Sequence, residues 1–292
     1  MTGQIRNVVA VRERCVFCGG TPDSPEHVLP NWFLRLWDDT GPFTMRINNE
    51  PLRTRAGRLS TSLKMWRVIL PCCRRCNGDL DRRFEKTAKG PLRQLLRDMR
   101  PIEDQDAVSS TARWLIKTLA LTSHPSANHT AFSARAERDR NRPWNNYPRA
   151  VLDSLKAGVI PTDTSLWLAV TEPYKPGLPD PPFENVLLRR TTRADGLGGC
   201  GRTRTMGFGL ADGRVAWFQL VYHPLHDLEH PFEHHKLVTR LWPKPPARLD
   251  IGEQSVLDHK TRLAEVFIDG GFCHGLTLGE RSNGNGIPWH EW

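Results

Sequence analysis

Two cysteine pairs, Cys15-x-x-Cys18 and Cys73-x-x-Cys76, bracket the dipeptide Glu26-His27, and Asn77 follows the second pair at once. Thiolates at this spacing share one tetrahedral zinc, and two distant pairs around one ion pin two segments of chain together. The histidine, carboxylate and amide beside them are groups that can hold a hard divalent cation and deprotonate a water. Cys72 offers a competing thiol, but Cys73 alone has a partner, Cys76, at the right spacing. Cys200 and Cys273 have no partner pattern and read as ordinary buried or half-buried thiols. A blander reading stays open. The four cysteines would then be a bare zinc staple, His27 would pack on the first pair, and Asn77 would cap the helix that follows.

The elements that must position these groups can be read from patterning. CVFCGG is a knuckle, with Gly19 and Gly20 supplying permissive backbone. HVLPNWFLRLW begins as a strand and turns helical after Pro30. Residues 38–62 are turn-rich loop or hairpin, and MWRVIL is a short strand ending at Pro71. A helix opens at Cys73, with Leu80, Phe84, Thr87 and Ala88 at helical spacing, and Gly90-Pro91 stops it. PLRQLLRDM and SSTARWLIKTLALTS are further helices, the second capped by Ser109 or Ser110. A polar break at 139–148 precedes a short helix, and from about residue 162 the pattern becomes β. The expected fold is α+β: residues 1–90 form a zinc-binding module, 91–160 a helical segment and 161–292 a β-rich C-terminal region.

A chain of 292 residues that is 38% hydrophobic can bury a core, and no apolar run is long enough to span a bilayer. The N-terminus lacks the pattern of a secretory signal. Seven cysteines, four of them at metal spacing, predict a reducing, cytoplasmic setting. The net charge is +9, and residues 46–100 alone hold 15 Lys/Arg against five acids. That local excess surrounds the second cysteine pair and would steer a polyphosphate there; a merely solvated basic face is the alternative.

CVFCGG, SPEHVLPNWF and CRRCNGDLDRRFE together resemble the HNH, or ββα-metal (His-Me finger), endonuclease motif in its zinc-bearing form. The chain as a whole resembles bacterial HNH-like proteins of similar length. The resemblance implies a treble-clef-like ββα-metal module in which Cys15, Cys18, Cys73 and Cys76 hold a structural Zn²⁺. It implies that His27 is the general base, and that Glu26 and Asn77 hold a catalytic Mg²⁺ or Mn²⁺, with Glu85 as a further ligand. Arg74, Arg75 and Arg82 would contact phosphates. The implied activity is hydrolysis of phosphodiester bonds in double-stranded DNA. Two alternatives are a non-catalytic zinc protein that binds nucleic acid and a nuclease subunit that needs a partner or activator; a homo-oligomer is left open. The chain departs from the motif in two places. The middle asparagine, expected near Val68, is absent, and about 40 residues separate Pro30 from the second cysteine pair. Glu26 also stands where aspartate is usual.

Other signals are weaker. The histidine-rich stretch 223–235 (His223, His226, His230, His234, His235) reads as a solvated loop rather than a second metal site. Gly196-x-Gly198-x-x-Gly201 lies between strands with no helix after it, so it reads as a hairpin loop, flanked by Arg189, Arg190, Arg193, Arg202 and Arg204. Trp114, Trp167, Trp217 and Trp242 read as core. Trp32 and Trp37 could stack on bases, with core packing the simpler expectation.

Overall fold

The computed structural model describes residues 14–37, 68–122, 149–172, 201–222 and 233–257, with the short pieces 43–44, 46–47, 50–51, 56–58, 61–62, 124, 128–129, 186–188, 192–194 and 230. The N-terminal part runs through β1 (Glu26–His27), α1 (Asn31–Leu34) and a 3-10 turn (Arg35–Trp37). Four two-residue strands follow, β2 (Phe43–Thr44), β3 (Arg46–Ile47), β4 (Glu50–Pro51) and β5 (Thr61–Ser62). They pair as β2 with β5 and β3 with β4, so the described part of the long insertion holds two small ladders. Then come β6 (Val68–Leu70), α2 (Arg74–Leu80), a π-helical turn (Asp81–Glu85) and α3 (Lys86–Leu96). β1 and β6 are antiparallel, Glu26 opposite Leu70 and His27 opposite Ile69. β7 (Asn128–His129) pairs with β6 through Val68 and Ile69.

The sequence predicts a helix stop at Gly90-Pro91, but α3 runs through Pro91 to Leu96. An interior proline costs a helix about 3 kcal/mol. Ala88, Leu92, Leu95 and Leu96 are all buried on this helix, and each leucine contributes roughly 1.5–3 kcal/mol by leaving water. Burial therefore outweighs the break, and what reads as two helices is one. The next helix, α4 (Gln105–Thr122), is capped by Asp104 rather than by Ser109 or Ser110. The Asp104 carboxylate accepts the backbone N–H groups of Asp106 at 3.3 Å and Ala107 at 3.1 Å. α5 (Arg149–Ala157) buries Val151, Leu152 and Leu155.

The C-terminal strands are β8 (Thr164–Thr171), β9 (Val186–Leu188), β10 (Thr192–Ala194), β11 (Gly201–Gly209), β12 (Val215–Tyr222), β13 (Thr239–Trp242) and β14 (Val256–Leu257). They form one sheet in the order β10-β11-β12-β8-β13, with β9 on β11 and β14 running parallel to β8. The β11–β12 hairpin turns at Ala211-Asp212-Gly213-Arg214, with Gly213 at φ 87°. Period-2 alternation sends Leu166, Leu168 and Val170 of β8 and Ala216, Phe218 and Leu220 of β12 to one face. α4 packs against that face, across β11, β12 and β13. Trp167 and Trp217 lie buried on the opposite face.

A chain of aromatic contacts ties the N-terminal module to the sheet. Phe33 lies 4.7 Å from Trp114 of α4 and 5.0 Å from Phe208 of β11, ring centre to ring centre. Trp32 lies 5.7 Å from Trp114. One apolar cluster accordingly runs from Cys15 and Phe17 through Leu92 and Leu115 to Leu241 and Ile251. The tryptophan that follows the EHVLP segment is thus engaged with the interior.

Candidate functional site

The first cysteine pair sits on a tight turn. Gly19 takes φ 72° and donates its N–H to the Cys15 carbonyl at 2.8 Å, while Cys15 donates to the Gly20 carbonyl at 2.9 Å. The left-handed backbone at Gly19 is one that residues with a side chain rarely adopt. The second pair opens α2. There Asp23, from the first segment, accepts the Arg74 N–H at 2.7 Å, and Val16 donates to the Pro71 carbonyl at 3.0 Å. The guanidinium of Arg149 on α5 adds a brace, donating to the carbonyls of Val16 at 2.7 Å and Phe17 at 2.9 Å, inside the knuckle itself.

These contacts bring the Sγ atoms of Cys15, Cys18, Cys73 and Cys76 within 4.8 Å of one another. Cys18 and Cys73 are 3.7 Å apart, and four thiolates around one zinc at ~2.3 Å would stand about 3.8 Å apart. The four donors are therefore placed to hold one metal ion, and their chemistry suits structural zinc. Cys15 and Cys76 are buried, Cys73 is intermediate and Cys18 is exposed. Burial acts to raise the Cys15 thiol, but N–H groups of Cys18, Cys73 and Phe17 outweigh it and lower its pKa to about 6. Burial raises Cys76 and, further, Cys72. Cys72 is fully buried beside the cluster and is not one of the four.

Glu26 and Glu85, expected as ligands of a second ion, do come together, and the group between them is an ammonium. Nζ of Lys117, from the middle of α4, lies 2.6 Å from Glu26 Oε1 and 2.8 Å from Glu85 Oε1. Lys117 is 0% exposed, Glu26 1% and Glu85 8%. Trp32 Nε1 donates to the other Glu85 oxygen at 3.2 Å. Burial acts to lower the Lys117 pKa, but the two carboxylates outweigh it and keep the lysine charged. Burial raises Glu26 despite the lysine beside it. A divalent ion needs carboxylate oxygens at about 2–2.6 Å and its own share of space, and here the ammonium takes both. These two carboxylates as arranged do not fit the expected ion.

The structure places Asn77 on α2, facing back to the segment before β1. Its Nδ2 donates to Ser24 Oγ and to the Pro25 carbonyl, each at 3.1 Å. Asn77 thus ties the loop that leads into Glu26 and His27. His27 is half-buried on β1, and alternation along the strand turns it away from the inward-facing Glu26. Arg74, Arg75 and Arg82 are exposed on α2 and the π turn, where Arg82 pairs with Asp79. Asp81 pairs with Lys86 at 3.8 Å.

Lys117 is the residue that pattern reading misses. Its one signal is a charge flanked by apolar residues on both sides in WLIKTLAL, where a helix buried nearly all round needs a partner for it. The solvated-loop reading of 223–235 fails at His230. That residue is fully buried, 5.3 Å from Trp167 ring to ring, and burial pushes its pKa well down. Glu233 accepts from Trp167 Nε1 and from Arg240 beside it. His234 and His235 are exposed. His223, His226, Gly196, Gly198, Cys200, Cys273, Arg189 and Arg190 lie outside the described residues, as do the side chains of Trp37, Arg193, Arg202 and Arg204. Among the described residues no helix is long and apolar enough to cross a membrane. Comparison with known proteins finds no matching family model, no matching curated protein and no matching solved structure.

Proposed function

We propose that the N-terminal part of this chain is a zinc-stapled module of the ββα-metal type, and that it hydrolyses phosphodiester bonds in nucleic acid with His27 as general base. One observation carries this reading. The four thiols, two on the turn before β1 and two at the start of α2, lie within 4.8 Å of one another, so a single zinc would cross-link the segment leading to the histidine strand to a helix that exposes Arg74 and Arg75. A neutral imidazole takes a proton from a water attacking phosphorus, and the arginines receive the phosphate oxygens. Zinc, held by Cys15, Cys18, Cys73 and Cys76, would supply a cross-link between segments and no chemistry on the substrate. No step is assigned to a divalent ion on Glu26 and Glu85, because Lys117 engages both.

That same lysine favours a second reading, binding of nucleic acid without cleavage. The two readings separate when zinc-loaded protein is titrated into fluorescently labelled duplex DNA at several salt concentrations and the bound DNA is then run on a denaturing gel. Hydrolysis predicts salt-dependent binding and shortened strands. Salt-dependent binding with intact strands supports the binding module. Absence of binding at low salt would sink both.

A further inference from the structure

Two buried carboxylates from distant parts of the chain converge on one point, Glu26 from β1 and Glu85 from the end of the π turn. Side by side they repel, and a hydrophobic surrounding makes that repulsion severe. The fold answers with Lys117, whose ammonium stands at 2.6 and 2.8 Å from one oxygen of each and is itself wholly buried. The lysine sits on α4, which packs on the sheet, so the contact joins three elements: the strand that carries His27, the helix that follows the second cysteine pair, and the central helix. Trp32 holds the remaining Glu85 oxygen in place. This is the arrangement of a two-carboxylate cation site, with the cation supplied by the chain.

We propose that Lys117 is the resident cation of this carboxylate pair: its ammonium occupies the position a divalent ion would take between Glu26 and Glu85, and so makes it a positioning residue for the strand that bears His27. Geometry alone carries the cation assignment, whereas the importance of that strand rests on the nuclease reading above. A lysine can substitute for a metal ion in joining carboxylates, but it offers no open coordination position to a phosphate or a water. Removing the side chain should therefore convert the pair into a site that takes a hard divalent cation from solution.

The test uses the zinc-loaded full chain without nucleic acid, so its failure is distinguishable from failure of the nuclease reading. Mn²⁺ is titrated into the wild type, Lys117→Ala and Lys117→Ala/Glu26→Gln, with free Mn²⁺ read by electron paramagnetic resonance and Tm measured alongside. The wild type is expected to take up no tight Mn²⁺ and to keep its Tm. Lys117→Ala is expected to melt lower, to bind about one Mn²⁺ per chain and to recover Tm on binding it. The double variant, with a single carboxylate, should lose that uptake. If Lys117→Ala is insoluble when prepared without Mn²⁺, refolding with Mn²⁺ present should rescue it. A wild-type Mn²⁺ site that disappears in Glu26→Gln would overturn the proposal. So would a Lys117→Ala chain that binds no Mn²⁺, folded or not.

Discussion

Replacing Lys117 by methionine keeps much of its length and removes its charge, leaving Glu26 and Glu85 buried with no countercharge. Breaking a buried ion pair in this way costs about 3–5 kcal/mol, which should appear as a lower urea midpoint at unchanged slope. Adding Glu26→Gln removes the repulsion and should recover part of the loss; no recovery would mean that the two carboxylates do not share the lysine. His124 gives a pH signature of its own. Burial first, and the nearby Arg149 second, lower its pKa from 6.5 to about 4. Between those values the unfolded chain binds a proton that the folded chain refuses. Its contribution is complete above pH 6.5 and is lost as pH falls toward 4, a change on the order of 3 kcal/mol. Unfolding curves at pH 7.5 and 5 should therefore lie closer together for His124→Gln than for the wild type. At this scale the cysteines were legible because ligand spacing is local in sequence, and the Glu26 and Glu85 positions were legible as a convergent pair. Lys117 was not, because its partners are remote and nothing in its immediate neighbours names them.

At the level of elements, the knuckle is held by a helix distant in sequence. Arg149 of α5 donates to two of its carbonyls, at Val16 and Phe17. Hydrogen bonds from a charged group are worth about 1.5–3 kcal/mol, so Arg149→Ala should loosen the turn that presents Cys15 and Cys18. The expected result is zinc transfer to a colorimetric chelator that is faster by roughly tenfold or more, at unchanged zinc stoichiometry. An unchanged transfer rate would show that the turn holds itself. The elements also mark where pattern reading runs out. Gly90-Pro91 signals a helix end correctly on local grounds, yet the buried face of Leu92, Leu95 and Leu96 carries α3 through it. Ser109 and Ser110 are good caps by type, but Asp104 lies earlier and captures the free N–H groups first. In both cases tertiary burial or a competing neighbour decides what a local signal leaves open.

Across the whole molecule, one apolar cluster joins the cysteine module, the helices and the sheet, so the module is not free to melt alone. Stripping the metal with a chelator should lower a single cooperative melting transition rather than create a separate early one; two resolved transitions would show that the module folds independently. The mixture of helix and sheet was legible in the change of period near residue 162. The way Phe33, Trp114 and Phe208 stack to connect the parts was not, since each aromatic reads only as core. His27 is the residue on which the proposed hydrolysis depends, and Asn77 ties the loop that leads into it through the Pro25 carbonyl. The most direct measurement is the rate at which zinc-replete wild type and His27→Ala nick supercoiled plasmid, at matched zinc content and buffer. Loss of a general base predicts a fall of about 100-fold or more in the variant. Equal nicking rates in the two proteins would contradict the assignment of His27, and with it the account of the module as a hydrolase built around that residue.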